Sequence, residues 1–136
     1  AGAGLETLLL GLWASDARLV AVEPRRKRAD FIELVGDAMG LGQRLEVIRS
    51  QVPPWRPAAP FDMATSRATF APAQWLAHAE TLVRPDGLVL VHDATGSEEK
   101  AGHGRPTLPL VVEESVPNRP AHCIRGYRYA PNPLTR

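Results

Sequence analysis

Glu23 is the first residue whose type and position point to chemistry. It follows Leu19-Val20-Ala21-Val22, a run of small and branched apolar residues that suits a short strand buried on both faces. An acid where such a strand leaves its sheet can hold the two neighbouring hydroxyls of a ribose. Upstream stands Ala1-Gly2-Ala3-Gly4, a small-residue turn that opens an apolar run. Glycine turn, helix, strand and then a carboxylate is the layout of a doubly wound nucleotide-binding unit. The expected ligand therefore contains adenosine, with Gly2, Ala3 and Gly4 at its turn and Glu23 at its ribose. The plainer readings are turn glycines and a solvated acid at a helix start.

Arg25-Arg26-Lys27-Arg28 comes next. Cations at a helix N-terminus oppose the helix dipole, so stability alone does not account for them. A polyanion partner does, and a solvated charge run is the competing account. Arg67 follows a later strand, at the edge where open α/β sheets bind ligands. Its competing role is a salt bridge to Asp62 or Glu80. His92 and Asp93 share that edge, and either hold substrate or only end their strand. No Ser-His-Asp set or paired-carboxylate site stands out. His78 and His103 read as surface residues, and His103 and His122 are too isolated for a metal site, so no metal is expected. Cys123 reads as a small buried hydrophobe. Trp13, Trp55 and Trp75 read as core and loop anchors.

The elements that must carry these residues alternate along the chain. Leu5–Ala14 is an apolar helix expected to be covered by a sheet on one side, and Arg18–Val22 is a strand. Arg25–Met39 is an amphipathic helix with the stripe Phe31, Leu34, Val35, Ala38 and Met39, opened by Pro24 and closed by Gly40 and Gly42. Leu45–Ile48 is a strand. Pro53, Pro54, Pro57 and Pro60 mark an irregular connection pinned by Trp55. Phe61–Ser66 is a strand, and Pro72 opens a helix with the stripe Leu76, Ala79, Leu82 and Val83. Pro85-Asp86-Gly87 is a tight turn before the strand Leu88–His92. Ala94–Arg105 is polar and expected to be mobile. Leu108–Ser115 and His122–Tyr129 form a closing antiparallel pair. A doubly wound unit also has a strand before its glycine turn, so the chain is expected to lack that strand and an N-terminal portion.

Composition narrows the partners. The 136 residues, 44% of them hydrophobic, suffice for one domain. With 16 basic and 15 acidic residues, nucleic-acid contact must come from a local patch rather than overall charge. The single Cys123 excludes an internal disulfide framework and a cysteine-cluster metal site, and fits a reducing cytoplasm. No apolar run reaches the roughly 18 residues of a membrane span, and the start has no basic leader region.

Taken together, these motifs give the chain a family resemblance. It resembles the small-subunit ribosomal RNA guanine-N7 methyltransferases of the glucose-inhibited division protein B type, over nearly its whole length. Ala1-Gly2-Ala3-Gly4-Leu5 matches the end of the family's glycine motif, and Glu23 the acid after its second strand. Lys27-Arg28 followed by Phe31 matches its lysine-arginine helix start, Ser66-Arg67-Ala68 its Ser-Arg-Ala signature, and Arg84-Pro85-Asp86-Gly87 the turn before its fifth strand. The resemblance implies an α/β fold, a Rossmann-like class I methyltransferase sheet that is mostly parallel with a C-terminal antiparallel hairpin.

It also implies S-adenosylmethionine as cofactor and small-subunit ribosomal RNA as partner, in a cytoplasmic monomer without metal. Gly2, Ala3, Gly4, Glu23, Gln51, Val52 and Arg67 are then expected at the cofactor, and Arg25, Arg26, Lys27, Arg28, Arg67 and His92 at substrate or RNA. The chain departs from the family pattern at Glu6-Thr7 for Pro-Gly, Pro53-Pro54 for acidic residues, and His92-Asp93 for Lys-Gly. Two other readings compete: a non-catalytic module that keeps the fold and binds RNA or protein, and an NAD-dependent oxidoreductase.

Overall fold

The computed structural model describes residues 4–67, 69–93, 109–115, 117–119 and 122–130. They fall into two compact units, Ala1–Trp55 and Arg56–Arg136.

The first unit opens with α1 (Leu5–Trp13), capped by Gly4 in the left-handed conformation at φ +74. β1 (Leu19–Val22), α2 (Arg26–Ala38) and β2 (Leu45–Ile48) follow. β1 and β2 are parallel, with Leu19 opposite Leu45 and Val22 opposite Ile48. Their core is Leu8, Ala21, Ile32 and Leu41, flanked by Val35, Met39, Leu45 and Val47.

Both helices exist where the apolar periodicity puts them, but their buried faces differ from expectation. α2 buries Ala29, Ile32 and Gly36, while Phe31 and Leu34 of the expected stripe stay 49% and 71% exposed. The cause is steric. A Cβ at Gly36 would run into the Leu45 side chain, so the helix comes closest at Gly36 and buries Ile32 beside it, with Val35 and Met39 of the stripe packed against the same core. α1 behaves likewise. It buries Leu8 and Gly11, a Cβ at Gly11 would lie 2.7 Å from Leu19 and Leu41 side-chain atoms, and Trp13 is 89% exposed rather than a core anchor. Pro24 precedes the cap Arg25 instead of occupying the first helical position.

The end of α1 is closed by a residue far along the chain. The Arg44 guanidinium donates to the carbonyls of Gly11 at 2.9 Å and of Ala14 and Ala17 at 3.0 Å each. The Gly11 carbonyl lies in the last turn of α1, where the helix leaves such groups without internal partners, and the other two lie just beyond it.

The second unit contains β3 (Phe61–Ser66), α3 (Pro72–Ala79), β4 (Val83–Asp93), β5 (Leu110–Ser115) and β6 (Cys123–Arg128). Its strand order is β3-β4-β6-β5. β3 and β4 are parallel, and β6 runs antiparallel to both β4 and β5. The chain thus doubles back and inserts its last strand beside the parallel pair, as expected for the closing hairpin.

Pro85-Asp86-Gly87 turns inside β4 rather than before it. Phe61 faces Val83 and Met63 faces Leu88, so the residues between bulge outward. Asp86 takes φ 64 there, and the bulge is fastened by Asp86 N donating to Tyr129 O at 2.7 Å and Tyr129 N to Gly87 O at 2.9 Å. α3 stops at Ala79. Leu82 and Val83 are buried, but beyond the helix to which their spacing assigned them. Trp75 is the core anchor expected of it, its indole N–H donating to Leu90 O at 2.8 Å. Among the described residues no helix is long and apolar enough to cross a membrane. The segment Ala94–Arg105 and residues Gly2 and Ala3 lie outside the described residues.

Candidate functional site

In the first unit, the end of β1 carries Glu23. Only 2% of this residue is exposed, so it is not a solvated surface acid. Its backbone N–H donates to Ile48 O at 2.9 Å, which continues the β1–β2 ladder one step past the strand. Its carboxylate accepts from Arg25 N at 2.9 Å. That bond meets the backbone at the start of α2, where no side chain of Arg25 caps the helix, and the dipole there favours a negative charge. One bond thus holds the backbone of the acid in the ladder and another holds its carboxylate against the start of α2.

Gly4 begins the other half of this layout. A Cβ at this position would drive into the buried Ile32 side chain, with Cδ1 at 2.7 Å. Only glycine combines that close approach with φ +74. Its carbonyl accepts from Leu8 N at 3.0 Å as the first bond of α1. Gln51 is exposed and Val52 half-buried in the turn after β2, where Trp55 N donates to Gln51 O at 3.0 Å.

The α2 start presents Arg25, Arg26, Lys27 and Arg28, all exposed. Arg26 leans on Asp30 at 3.6 Å, one helical turn on. No acid sits in the first turn of α2, so the cluster projects an almost uncompensated positive charge.

In the second unit, β3 ends at Ser66 and Arg67 follows, exposed. The salt bridge weighed for it does not form, because Asp62 pairs with Arg84 at 2.6 Å. Among the described residues no ion pair holds Arg67. Thr69 Oγ1 donates to its carbonyl at 3.2 Å, and Phe70 stacks on Trp75 with centroids 5.9 Å apart and planes 10° from parallel. His78 meets the Phe70 ring edge-on at 5.0 Å, so it is part of this aromatic group rather than a plain surface residue.

At the end of β4, His92 and Asp93 point to opposite sides of the strand. His92 Nε2 lies 3.5 Å from Thr65 Oγ1 on β3. Asp93 turns into the fold, its side chain 1% exposed, and pairs with Arg125 at 2.8 Å. Arg125 also donates through Nε to Glu113, which holds the guanidinium's pKa well above its ordinary value; the Asp93 bond adds to this against the cost of burial. The Asp93 carboxylate is thus neutralised internally and adds no exposed negative charge at this edge.

Sequence reasoning missed Arg125 and Arg44. For Arg125 a signal existed: a guanidinium in mid-strand, when buried, demands an acid, and Asp93 ends a neighbouring strand. Among the described residues no group of three or more potential metal ligands gathers.

The parallel strands, flanking helices and inserted antiparallel last strand define an α/β fold of the Rossmann-like methyltransferase type. An O-methyltransferase family 2 protein from Planctomyces limnophilus shares it, with TM-score 0.77 at 13% identity over 94% of this chain and 48% of that one. The chain belongs to the rRNA small subunit methyltransferase G (GidB) family, whose model matches residues 1–116. Ribosomal RNA small subunit methyltransferase G of Nocardioides sp. is 32% identical over 79% of this chain and 42% of its own length. The Frankia alni protein of the same name is 30% identical over 93% of this chain and 53% of its own length. The chain spans about half the length of these relatives.

Proposed function

We propose that the intact protein transfers a methyl group from S-adenosylmethionine to N7 of a guanine in small-subunit ribosomal RNA, acting as a monomer in the cytoplasm. The observation that carries this reading is Glu23: a buried carboxylate, held by the Arg25 amide, at the end of β1 in a chain of this family. An ionised carboxylate has about four lone-pair directions, so accepting the Arg25 amide is compatible with also receiving ribose hydroxyls. Gly4 fits the same layout, because its left-handed backbone turns the chain into α1 and its missing Cβ admits the Ile32 side chain. Gly2, Ala3, Gln51 and Val52 complete the cofactor contacts in this proposal.

When bound, the cofactor supplies an activated methyl group. Guanine N7 carries an exposed lone pair and no proton, so the chain needs no general base and no nucleophilic side chain. Its own residues orient the reactants, an effect able to supply several kcal/mol of the barrier. Arg25, Lys27 and Arg28 engage RNA phosphates as exposed point charges, with Arg26 partly diverted to Asp30. Arg67 and His92 address the target nucleotide from the ends of β3 and β4.

Calorimetric titration of the intact protein with S-adenosylhomocysteine tests the reading. Micromolar binding, about −8 kcal/mol, is expected, together with at least a roughly tenfold loss in Glu23→Ala, equal to about 1.4 kcal/mol. Incubation with labelled S-adenosylmethionine should then yield 7-methylguanosine in small-subunit ribosomal RNA. Absence of binding by the folded intact protein overturns the enzyme reading and leaves a fold-retaining, non-catalytic module.

A further inference from the structure

The charged residues of the first unit are sorted by end. β1 and β2 run parallel, with Leu19 opposite Leu45 and Val22 opposite Ile48. α2 leads from the end of one strand back to the start of the other. The unit therefore has two poles. One holds the strand starts, where Leu19 N donates to Arg44 O at 2.7 Å. The other holds the strand ends, with Glu23, the first residues of α2, and Arg49 directly after β2.

At the pole of the strand starts the arginines are already engaged. Arg18 pairs with Glu46 at 2.8 Å, and the Arg44 guanidinium lies on the carbonyls of Gly11, Ala14 and Ala17. Asp16 and Asp37 are exposed there, which adds negative charge. The opposite pole differs. Arg25, Lys27, Arg28 and Arg49 are all exposed. Among the described residues, none of these side chains has an ion pair or a hydrogen bond. The acids of this pole do little to offset them: Asp30 meets Arg26 at 3.6 Å, Glu6 is half-buried in the first turn of α1, and Glu23 is buried.

Glu23 ties Arg49 to the α2 cations. Its N–H donates at 2.9 Å to the carbonyl of Ile48, the residue before Arg49, and its carboxylate accepts from Arg25 N at 2.9 Å. Cations thus stand on both sides of this acid along the strand ends. Unpaired like charges gathered at one edge repel one another and disfavour the folded state, and an anionic partner reverses the sign of that effect. Arg18 shows that an exposed arginine of the same two strands can find an acid. Arg49 has none.

We propose that Arg49 is a phosphate contact for RNA, and that with Arg25, Lys27 and Arg28 it forms one basic edge across the ends of β1 and β2. This rests on the reading of the α2 cations as RNA contacts. Each phosphate that such a cation neutralises releases condensed counterions, so the contact is counted by the salt dependence of binding. The same edge carries Glu23, so RNA and cofactor approach the unit from one side.

The test is fluorescence titration of the intact protein with a small-subunit ribosomal RNA fragment over a range of salt, beside calorimetry with S-adenosylhomocysteine. Arg49→Ala, Arg49→Lys, Arg28→Ala and Arg18→Ala are compared with the wild type. Arg49→Ala should lower the slope of log affinity against log salt by about 0.7–1 and leave cofactor affinity unchanged. Arg49→Lys keeps the charge and should keep the slope, and Arg18→Ala, at the other pole, should keep it too. If Arg49→Ala does not fold, Arg49→Gln carries the comparison. An unchanged slope in Arg49→Ala, with a lowered one in Arg28→Ala, overturns the inference while the α2 reading stands. An equal drop in Arg18→Ala also overturns it, because charge anywhere on the unit would then suffice. Weaker cofactor binding without a change in slope assigns Arg49 to the cofactor instead, against the inference. Wild-type slopes in both Arg28→Ala and Arg49→Ala overturn the α2 reading, and the inference with it.

Discussion

Asp93 and Arg125 form a buried ion pair, 2.8 Å apart, across the antiparallel β4–β6 pairing at the end of β4. Removing one partner strands the other charge in the fold. Arg125→Met should destabilise the unit by roughly 3–5 kcal/mol. Joint replacement by Asp93→Leu and Arg125→Met should recover most of that loss, because two apolar groups of similar size need no partner. Urea unfolding of the three variants measures it, and equal losses in the single and double variants would exclude the pair as the cause. Glu113→Gln should cost far less, since that side chain is 49% exposed and solvent takes over its role.

Alkaline pH should weaken the same region. Burial raises the Cys123 thiol above its ordinary value near 9 and the Tyr127 phenol above its ordinary value near 10. Both groups are neutral when protonated, and the folded state holds those protons more tightly than the unfolded one. Above about pH 9 the unfolded chain binds fewer protons, so stability falls as pH rises. Tyr127→Phe should flatten that fall. It should not destabilise the protein at neutral pH, because the buried Tyr127 hydroxyl has no hydrogen-bond partner among the described residues. Denaturant midpoints collected across the alkaline range for both proteins decide the matter.

Gly4→Ala should be costly for two reasons at once. The backbone is left-handed at φ +74 and the new Cβ would enter the space of Ile32. A loss of about 2 kcal/mol or more in unfolding free energy is expected, with weaker S-adenosylhomocysteine binding in the fraction that folds. A wild-type thermal midpoint in this variant would contradict the packing described for α1 on α2.

The cations of α2 should be separable by salt. Replacing Lys27 or Arg28 by alanine should lower the slope of log affinity for RNA against log salt by about 0.7–1 per residue. Arg26→Ala should do less, because that guanidinium already leans on Asp30 at 3.6 Å. Fluorescence titrations with a ribosomal RNA fragment over a range of salt provide the slopes. Identical slopes for all variants would remove the cluster from the interface.

The order of elements was legible in the sequence because its signals are local. Proline and glycine mark the connections around Pro53, Pro72 and Gly40, and runs of branched residues mark β1, β2 and β4. Glu23 behind such a strand, and the lysine-arginine and Ser-Arg-Ala motifs, carried the family without coordinates. What sequence could not decide was which face of a helix is inside. Of the stripe Phe31, Leu34, Val35, Ala38 and Met39, Val35 and Met39 pack against the core while Phe31 and Leu34 stay exposed; α2 packs chiefly through Ala29, Ile32 and Gly36, since Gly36 allows the closest approach to Leu45.

Partnership between distant residues was equally out of reach. Arg44 meets Gly11 33 positions away, and Arg125 meets Asp93 at a separation of 32. Such pairs follow from where strands and helices are stacked, and nothing in either local sequence names the other. The sequence thus determined which residues stand at the ends of β1, β3 and β4. Only the tertiary structure decided that Asp93 turns inward to Arg125 while Arg67 remains exposed after β3, because a buried charge must find its counterion and an exposed one need not.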